Sequence, residues 1–321
     1  MKFSVVIPTR NNEAIIGRCL ESLSELDFPQ NDYEVIIGDS NSTDRTREIA
    51  EKFGAKVVSA EKSVCAGRNA AFEVAKGEFI AISDADCTFD KNWLKNSLKY
   101  FEDEKVGGIG GANLIPEDES AFGKAVGLLF AYAPYVTKAA HTRVLPKVIE
   151  SRSHGSNAIY RASVLRKVLP IDETLVGGED VIMNDEILDL GYKLLYVPDV
   201  LVYHYRRPNI KSWWKSMYRY GMGRVILPRH RKGEVTLAHI ITGWSILIFL
   251  ATVIILASIN IWLLLWIVVA LFLLVVLIYV VTDFITQSPD IAYNMPIVLF
   301  IFITAWSFGY IHETFSPEVK K

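Results

Sequence analysis

An α/β domain followed by apolar helices is the fold class this sequence predicts. Three observations carry it. Short apolar runs alternate with helical spacing from Phe3 to Ser83, the pattern of a parallel sheet with both faces covered. Several of those runs end in polar clusters, at 8–12, 39–44 and 83–86, and ligands of such sheets bind beyond the carboxyl ends of the strands. The chain is also unevenly apolar. Its mean hydropathy of +0.24 is high for a soluble protein, and the excess falls almost entirely after about Glu234.

The first strand is the apolar run 3–8, closed by Pro8. Residues 12–26 set Ile15, Ile16, Cys19, Leu20 and Leu23 at helical spacing. A second strand at 33–38 leads through Ser42, Thr43 and Asp44, a helix start, into a helix at 46–53. A third strand at 56–59, a third helix at 65–75 and a fourth strand at 77–83 complete the alternation. Further on, the pattern predicts a helix at 93–101 and a glycine-punctuated strand at 106–113. A long apolar helix at 122–136, interrupted at Pro134, follows; residues 191–205 read as paired short strands ending at His204. The three cysteines, Cys19, Cys65 and Cys87, show no metal-ligand spacing and read as buried, reduced side chains.

Three apolar blocks, at about 238–258, 261–281 and 291–311, each approach the ~20 residues that a helix needs to cross a bilayer. The segment before them, 205–233, carries Arg206, Arg207, Lys211, Lys215, Arg219, Arg224, Arg229, Arg231 and Lys232 without one acidic residue. Positive flanks stay on the cytoplasmic side. The N-terminal domain is therefore expected in the cytosol, and three spans would leave the C-terminus outside. The expected division is a cytosolic domain at 1–208, a basic, aromatic interfacial helix region at 209–235 and a membrane domain at 236–315. With 34 Lys and Arg against 36 Asp and Glu, no polyelectrolyte partner such as nucleic acid is implied.

Asp84 and Asp86 end the fourth strand, separated only by Ala85. Alternate residues of a strand point to one side, so both carboxylates are expected to face one cation or its water shell. Hard ions such as Mg²⁺ and Mn²⁺ take oxygen ligands and bridge carboxylates to substrate phosphates. A polar turn closing a strand is the plainer explanation of the same three residues.

In order and spacing, a series of motifs resembles the family-2 glycosyltransferases, whose catalytic domain has the GT-A fold. They are Val5-Val6-Ile7-Pro8-Thr9-Arg10-Asn11-Asn12, Ile37-Gly38-Asp39-Ser40-Asn41-Ser42-Thr43-Asp44, Ala66-Gly67-Arg68-Asn69, Asp84-Ala85-Asp86, Gly178-Glu179-Asp180 and Val202-Tyr203-His204. The resemblance implies a nucleotide pocket lined by Pro8, Thr9, Arg10 and Asn12, with Asp39 accepting hydrogen bonds from the base. Relatives often carry a second acidic residue where this chain has Ser40. It implies that Arg68 pairs with the diphosphate, that Asp86 binds Mn²⁺ or Mg²⁺ most directly, and that Asp84 holds ribose or a metal-bound water. His204 becomes a further metal ligand or a diphosphate contact, and Gly155 part of the small-residue loop under the donor sugar. Asp180, beside Glu179, resembles the base that takes the proton of the acceptor hydroxyl.

These roles imply an inverting transfer from a UDP- or GDP-sugar. Trp213, Trp214, Arg219 and Tyr220 lie on the basic segment expected at the membrane interface. Processive polysaccharide synthases carry Gln-x-x-Arg-Trp there; this chain has Ser216, Arg219 and Tyr220, which favours single addition. A site held at the cytosolic face of the plasma membrane suggests an acceptor that is itself lipid-linked. A lipid-linked sugar hydroxyl needs a base, whereas an already ionised polyprenyl phosphate, the acceptor of a polyprenyl- or dolichyl-phosphate sugar synthase, needs little.

Overall fold

The computed structural model describes residues 1–60, 63–132, 147–151, 155–230 and 235–316. The chain separates into two compact units: residues 1–117, 130–174 and 179–205 form the first, and 118–129, 175–178 and 206–321 the second. The basic helix expected as a region of its own therefore clusters with the apolar helices.

The first unit is built on an eight-stranded sheet ordered β3-β2-β1-β4-β9-β6-β10-β8. Its strands are β1 (Phe3–Thr9), β2 (Tyr33–Asp39), β3 (Lys56–Ser59), β4 (Phe79–Ser83), β6 (Val106–Gly110), β8 (Ile149–Glu150), β9 (Asn157–Arg161) and β10 (Lys193–Tyr196). A second sheet of three strands places β11 (Val202–His204) between β5 (Cys87–Phe89) and β7 (Asn113–Leu114). The helices of the unit include α1 (Ile16–Ser24), α2 (Thr46–Lys52), α3 (Val64–Val74), α4 (Trp93–Ser97), α6 (Ala162–Leu165) and α7 (Glu179–Asp189); most of α5 (Ala121–Tyr132) belongs to the second unit.

Strands β1 to β4 pair in parallel, as the alternation predicts. All seven residues of β1 are buried, because a central strand covered on both faces has no solvated side. Its Phe3, Val5 and Ile7 join Leu20 and Leu23 of α1 and Trp93 and Leu94 of α4 in one core. Beyond β4 the sheet becomes mixed. Strand β9 runs antiparallel to both β4 and β6. Reversal brings the start of β9 to the carboxyl end of β4, where Ser83 pairs with Asn157, and so adds a segment to the ligand-binding edge.

Two more expectations need correction. The short strands of 191–205 do not pair with each other: β10 lies beside β6 and β8, while β11 lies beside β5 and β7. The helix expected at 12–26 starts only at Ile16, because Asn12 is engaged in a polar loop described below. The interruption expected at Pro134, and residues 133–136 of that helix, lie outside the described residues, as do Arg231 and Lys232.

One close approach fixes where α3 begins. A Cβ on Gly38 would run into the backbone carbonyl of Gly67, so β2 and α3 meet backbone to backbone, one residue before Arg68. Gly38→Ala is expected to destabilise the protein by about 3 kcal/mol, the upper end of overpacking costs, because main chain cannot yield as a side chain does. A melting curve against the parent chain checks this.

The second unit contains α8 (Ile210–His230), α9 (Leu237–Ile259), α10 (Leu263–Thr286) and α11 (Pro289–Phe315). Among the described residues, α9, α10 and α11 are long and apolar enough to cross a membrane. Helix α11 begins with proline at its first turn and carries Pro296 inside; the missing N–H near a helix start costs little.

Candidate active site

The carboxyl end of β1 and that of β2 are laced into one polar loop system. Thr9 is buried, and its hydroxyl accepts from Asn12 Nδ2 at 2.8 Å. The Asn12 backbone N–H donates to Thr46 Oγ1 at 2.8 Å. Asn11 takes a left-handed φ of 54°, which asparagine tolerates better than most residues. It binds the opposite loop twice, through Ser42 Oγ at 2.9 Å and the Thr43 N–H at 2.8 Å. Pro8 is buried and Arg10 exposed.

Asp39 ends β2 fully buried. Its Oδ2 accepts from the Ser42 N–H at 3.2 Å and lies 3.7 Å from Arg47 Nη1. Its Oδ1 is buried without a hydrogen-bond partner. Such an acceptor carries a desolvation cost until a donor reaches it. Ser40 ties this loop to the next helix: its hydroxyl donates to the Ser63 carbonyl at 2.7 Å. Ser63 in turn caps α3 by accepting the Ala66 N–H at 2.9 Å.

Helix α3 delivers Arg68 between two carboxylates. Its Nη1 lies 2.6 Å from Glu179 Oε1, and its Nη2 lies 3.3 Å from Asp84 Oδ1. Burial opposes the guanidinium charge, but Glu179, Asp84 and Asp180 together outweigh it and hold the group firmly protonated. Asn69, which sequence reasoning left without a role, pins the following segment. Its amide donates to the Ile171 carbonyl at 2.8 Å and accepts the Ile171 N–H at 2.9 Å. The start of an Arg-Asn motif was its only signal.

Asp84 and Asp86 follow the tip of β4 in a turn. Strand β4 stops at Ser83 and β5 starts at Cys87, and the Cys87 N–H closes a turn on the Asp84 carbonyl at 3.2 Å. The turn sends the two carboxylates to different partners, Asp84 to Arg68 and Asp86 to His204, whose Nε2 lies 3.2 Å from Asp86 Oδ1. Pairing of β11 with β5 sets this contact, since His204 is in register with Cys87. The other ring nitrogen, Nδ1, lies 3.2 Å from Ser156 Oγ, which accepts from Asn113 Nδ2 at 3.1 Å. A hydroxyl can give or take the Nδ1 proton, so Ser156 steadies the imidazole in either tautomer. The sequence offered no signal for this, because Ser156 and Asn113 are far from His204 along the chain.

Asp86, Cys87 and His204 bring one ligand atom each within 4.8 Å of one another. The carboxylate oxygen suits Mn²⁺ or Mg²⁺, and an imidazole nitrogen beside it favours Mn²⁺, the softer of the two; the thiol suits neither, and burial beside Asp86 and Asp84 holds Cys87 far above the ordinary thiol range. The donor set therefore fits a hard divalent ion on Asp86 and His204. Asp180 stands in the first turn of α7, just after Gly178 with its φ of 85°. Its charge reaches Tyr160, whose hydroxyl donates to Asn184 Oδ1 at 2.6 Å. Gly155 has open space where a Cβ would stand.

In the second unit, Trp214 and Tyr220 are exposed on α8, and Arg219 Nη2 donates to the Val176 carbonyl at 3.4 Å. Trp213, expected at the membrane interface, is instead 1 % exposed, its indole N–H donating to the Val298 carbonyl of α11 at 3.1 Å. Helical periodicity explains the difference: adjacent tryptophans point about 100° apart.

The family model for "Glycosyl transferase family 2" matches residues 4–169. This chain belongs to glycosyltransferase family 2. It is an enzyme of that family, with a mixed α/β sheet of GT-A type followed by long apolar helices. It is 27% identical over 236 residues to glycosyltransferase AglE of Haloferax volcanii, covering 69% of this chain and 72% of that one. A dolichyl N-acetyl-alpha-D-glucosaminyl phosphate 3-beta-D-2,3-diacetamido-2,3-dideoxy-beta-D-glucuronosyltransferase of Methanococcus voltae is 24% identical over 329 aligned positions, 96% of this chain and 95% of that one. Among solved structures, the mannosyltransferase PcManGT of Pyrobaculum calidifontis, in complex with GDP-Man and Mn²⁺, superposes with a TM-score of 0.63 at 17% identity. That match covers 99% of this chain and 88% of the other, and shows a shared fold.

Proposed function

We propose that this glycosyltransferase moves a sugar, with inversion, from a nucleotide-diphospho-sugar to a hydroxyl of a lipid-linked saccharide at the cytosolic membrane face. The observation that carries this reading is Arg68, buried between Glu179 and Asp84 while the next residue but one along the turn, Asp86, meets His204. One site thus holds a fixed cation beside a ligand set for another, as a departing diphosphate requires.

Asp39 Oδ1, buried and unpartnered, would accept from the nucleobase; Thr9, Arg10 and Asn12 would line its pocket. A divalent ion held by Asp86 and His204 would neutralise charge building on the diphosphate. Arg68 would bind the same oxygens through its planar donors. Asp180 would take the proton of the acceptor hydroxyl as that oxygen bonds to the anomeric carbon. The bond from that carbon to the diphosphate breaks in line, its electron pair leaving with the nucleotide, so the configuration inverts.

The name of the Methanococcus voltae relative describes a dolichyl-phosphate-linked sugar as acceptor, which supports a lipid-linked sugar here. The test is a competition between a polyprenyl-diphosphate-linked sugar and bare polyprenyl phosphate, given to the purified full chain with donor and Mn²⁺. Faster glycosylation of the lipid-linked sugar is expected. Preference for the bare phosphate would replace this reading with that of a polyprenyl-phosphate sugar synthase, and long products would point to a processive enzyme.

A further inference from the structure

Hydropathy alone makes α11 a third span, but its partners within the second unit place it otherwise. Helices α9 and α10 have 23 and 24 residues, about 35 Å each and sufficient to cross and return. The start of α9 and the end of α10 then lie at one face of the membrane. Only two residues separate the end of α10 from the start of α11, so α11 starts at that face too. If it crossed, its C-terminal end would meet the far end of α9, near Ile259.

It meets the near end instead. Trp306 stacks on His239 at 6.1 Å between ring centroids, and Phe315 packs edge-on to Trp244 at 6.2 Å. Ser307 donates to the Gly243 carbonyl at 2.7 Å, and a Cβ on Gly243 would strike the ring of Tyr310. These three partners, His239, Gly243 and Trp244, lie in the first eight residues of α9, and Ile246, whose N–H donates to Ser307 Oγ at 3.3 Å, is two residues further on. Both ends of α11 therefore lie at the same membrane face.

The basic helix α8 gives an independent argument. It lies along α11 in the same direction, with Trp213 bonded to Val298, a Cβ on Gly309 blocked by the Tyr218 carbonyl, and Arg229 paired to Glu313 at 2.9 Å. From Trp213 to Arg229 this is about 24 Å of helix. Helix α8 carries Lys211, Lys215, Arg219, Arg224 and Arg229. Each such charge costs several kcal/mol in hydrocarbon, and burying all five across a membrane is untenable. Whatever packs along α8 over that length shares its depth.

We propose that α11 does not cross the membrane: it lies in the interface beside α8, and among the described residues α9 and α10 are the two crossings. The surface that this layer offers to lipid is the face of α11 opposite Val298, Ala305 and Gly309. There Tyr293, Phe300, Ile303, Phe308 and Phe315 fall within one arc of the helix and are exposed, Tyr293 by 71% and Phe300 by 65%. Trp214 of α8 joins Phe308 at 6.0 Å, an aromatic contact suited to the headgroup boundary. Basic side chains of α8 would face anionic headgroups. The partner is thus one lipid leaflet, and the C-terminus shares a side with α8 and with the N-terminal domain, from which no span separates it.

Cysteine accessibility in sealed vesicles of both orientations tests this. Single additions Ser42→Cys, Ser258→Cys and Ser316→Cys are made in the full chain and treated with a membrane-impermeant maleimide. The parent chain, with its three buried thiols, is the blank. Labelling of Ser316→Cys is expected in the orientation that labels Ser42→Cys, with loss of labelling in the orientation that labels Ser258→Cys. Labelling of Ser316→Cys together with Ser258→Cys overturns the proposal, and so does silence of Ser316→Cys from both sides. Protease removal of a C-terminal epitope tag from the otherwise unchanged chain gives the same discrimination without new cysteines.

Discussion

Asp180→Asn is expected to cut transfer by about 10²–10⁴-fold while leaving donor affinity within a few-fold of the parent, the range a general base supplies. Asparagine keeps the size and most of the polarity of the side chain but cannot accept a proton from a sugar hydroxyl. Donor binding should survive, because Arg68 keeps its two direct partners, Glu179 at 2.6 Å and Asp84 at 3.3 Å. Folding should survive as well, since Asp180 stands in an α7 first turn that still carries Glu179, where acidic residues favour the helix N-terminus. Steady-state turnover and equilibrium donor binding, measured separately, check both halves. Unchanged turnover would remove Asp180 from the reaction, and loss of binding would make it a donor contact.

The second large effect is expected at Asp86. Replacing it by Ala takes away the carboxylate beside His204 and leaves an imidazole steadied by Ser156 without the carboxylate that would share a divalent ion with it. Loss of an outer partner of a metal ligand already costs 10–100-fold in affinity, so loss of the ligand itself should cost about 100-fold or more in Mn²⁺ binding. Calorimetric titration of Mn²⁺ reads this without any turnover. Asp84→Ala should act differently: its carboxylate is bound to Arg68, so the variant should lose donor affinity more than Mn²⁺ affinity. Equal losses from both variants would mean that the two carboxylates share one ion after all.

The order of β1 to β4 and the polar loops at their carboxyl ends were legible in the chain because each rests on local information. An apolar run and a proline mark β1; a small-residue turn marks the end of β2. The antiparallel β9 was not, since its direction depends on the long excursion between β7 and β9. The end of the fourth strand at Ser83 was legible, and β4 stops there. The partners of the two carboxylates beyond it were not, because Arg68 and His204 reach Asp84 and Asp86 from distant parts of the chain. Ser156 was legible beside Gly155 as part of a small-residue loop, but its contact with His204 was not, because the register of β11 against β5 brings His204 to it.

Hydropathy and packing carry different information at α11. Its apolar residues satisfy the length rule for a span, yet part of that apolar surface exists to pack on α8. Trp213 and Val298, buried together, show this. Composition counts apolar side chains and does not say whether lipid or protein covers them. The same blindness set Trp213 at the membrane interface beside Trp214, though only the second of the two is exposed there.

The reading as a whole stands on a donor site that is completed by a divalent ion. Its most direct measurement is calorimetric titration of the detergent-solubilised full chain with a panel of UDP- and GDP-sugars, each with and without Mn²⁺ or Mg²⁺. Binding of one nucleotide sugar that needs the ion, and that Asp86→Ala abolishes, is the expected result. Equal binding of that sugar with the ion removed, or no binding across the panel, would contradict a metal-diphosphate site at Asp86 and His204.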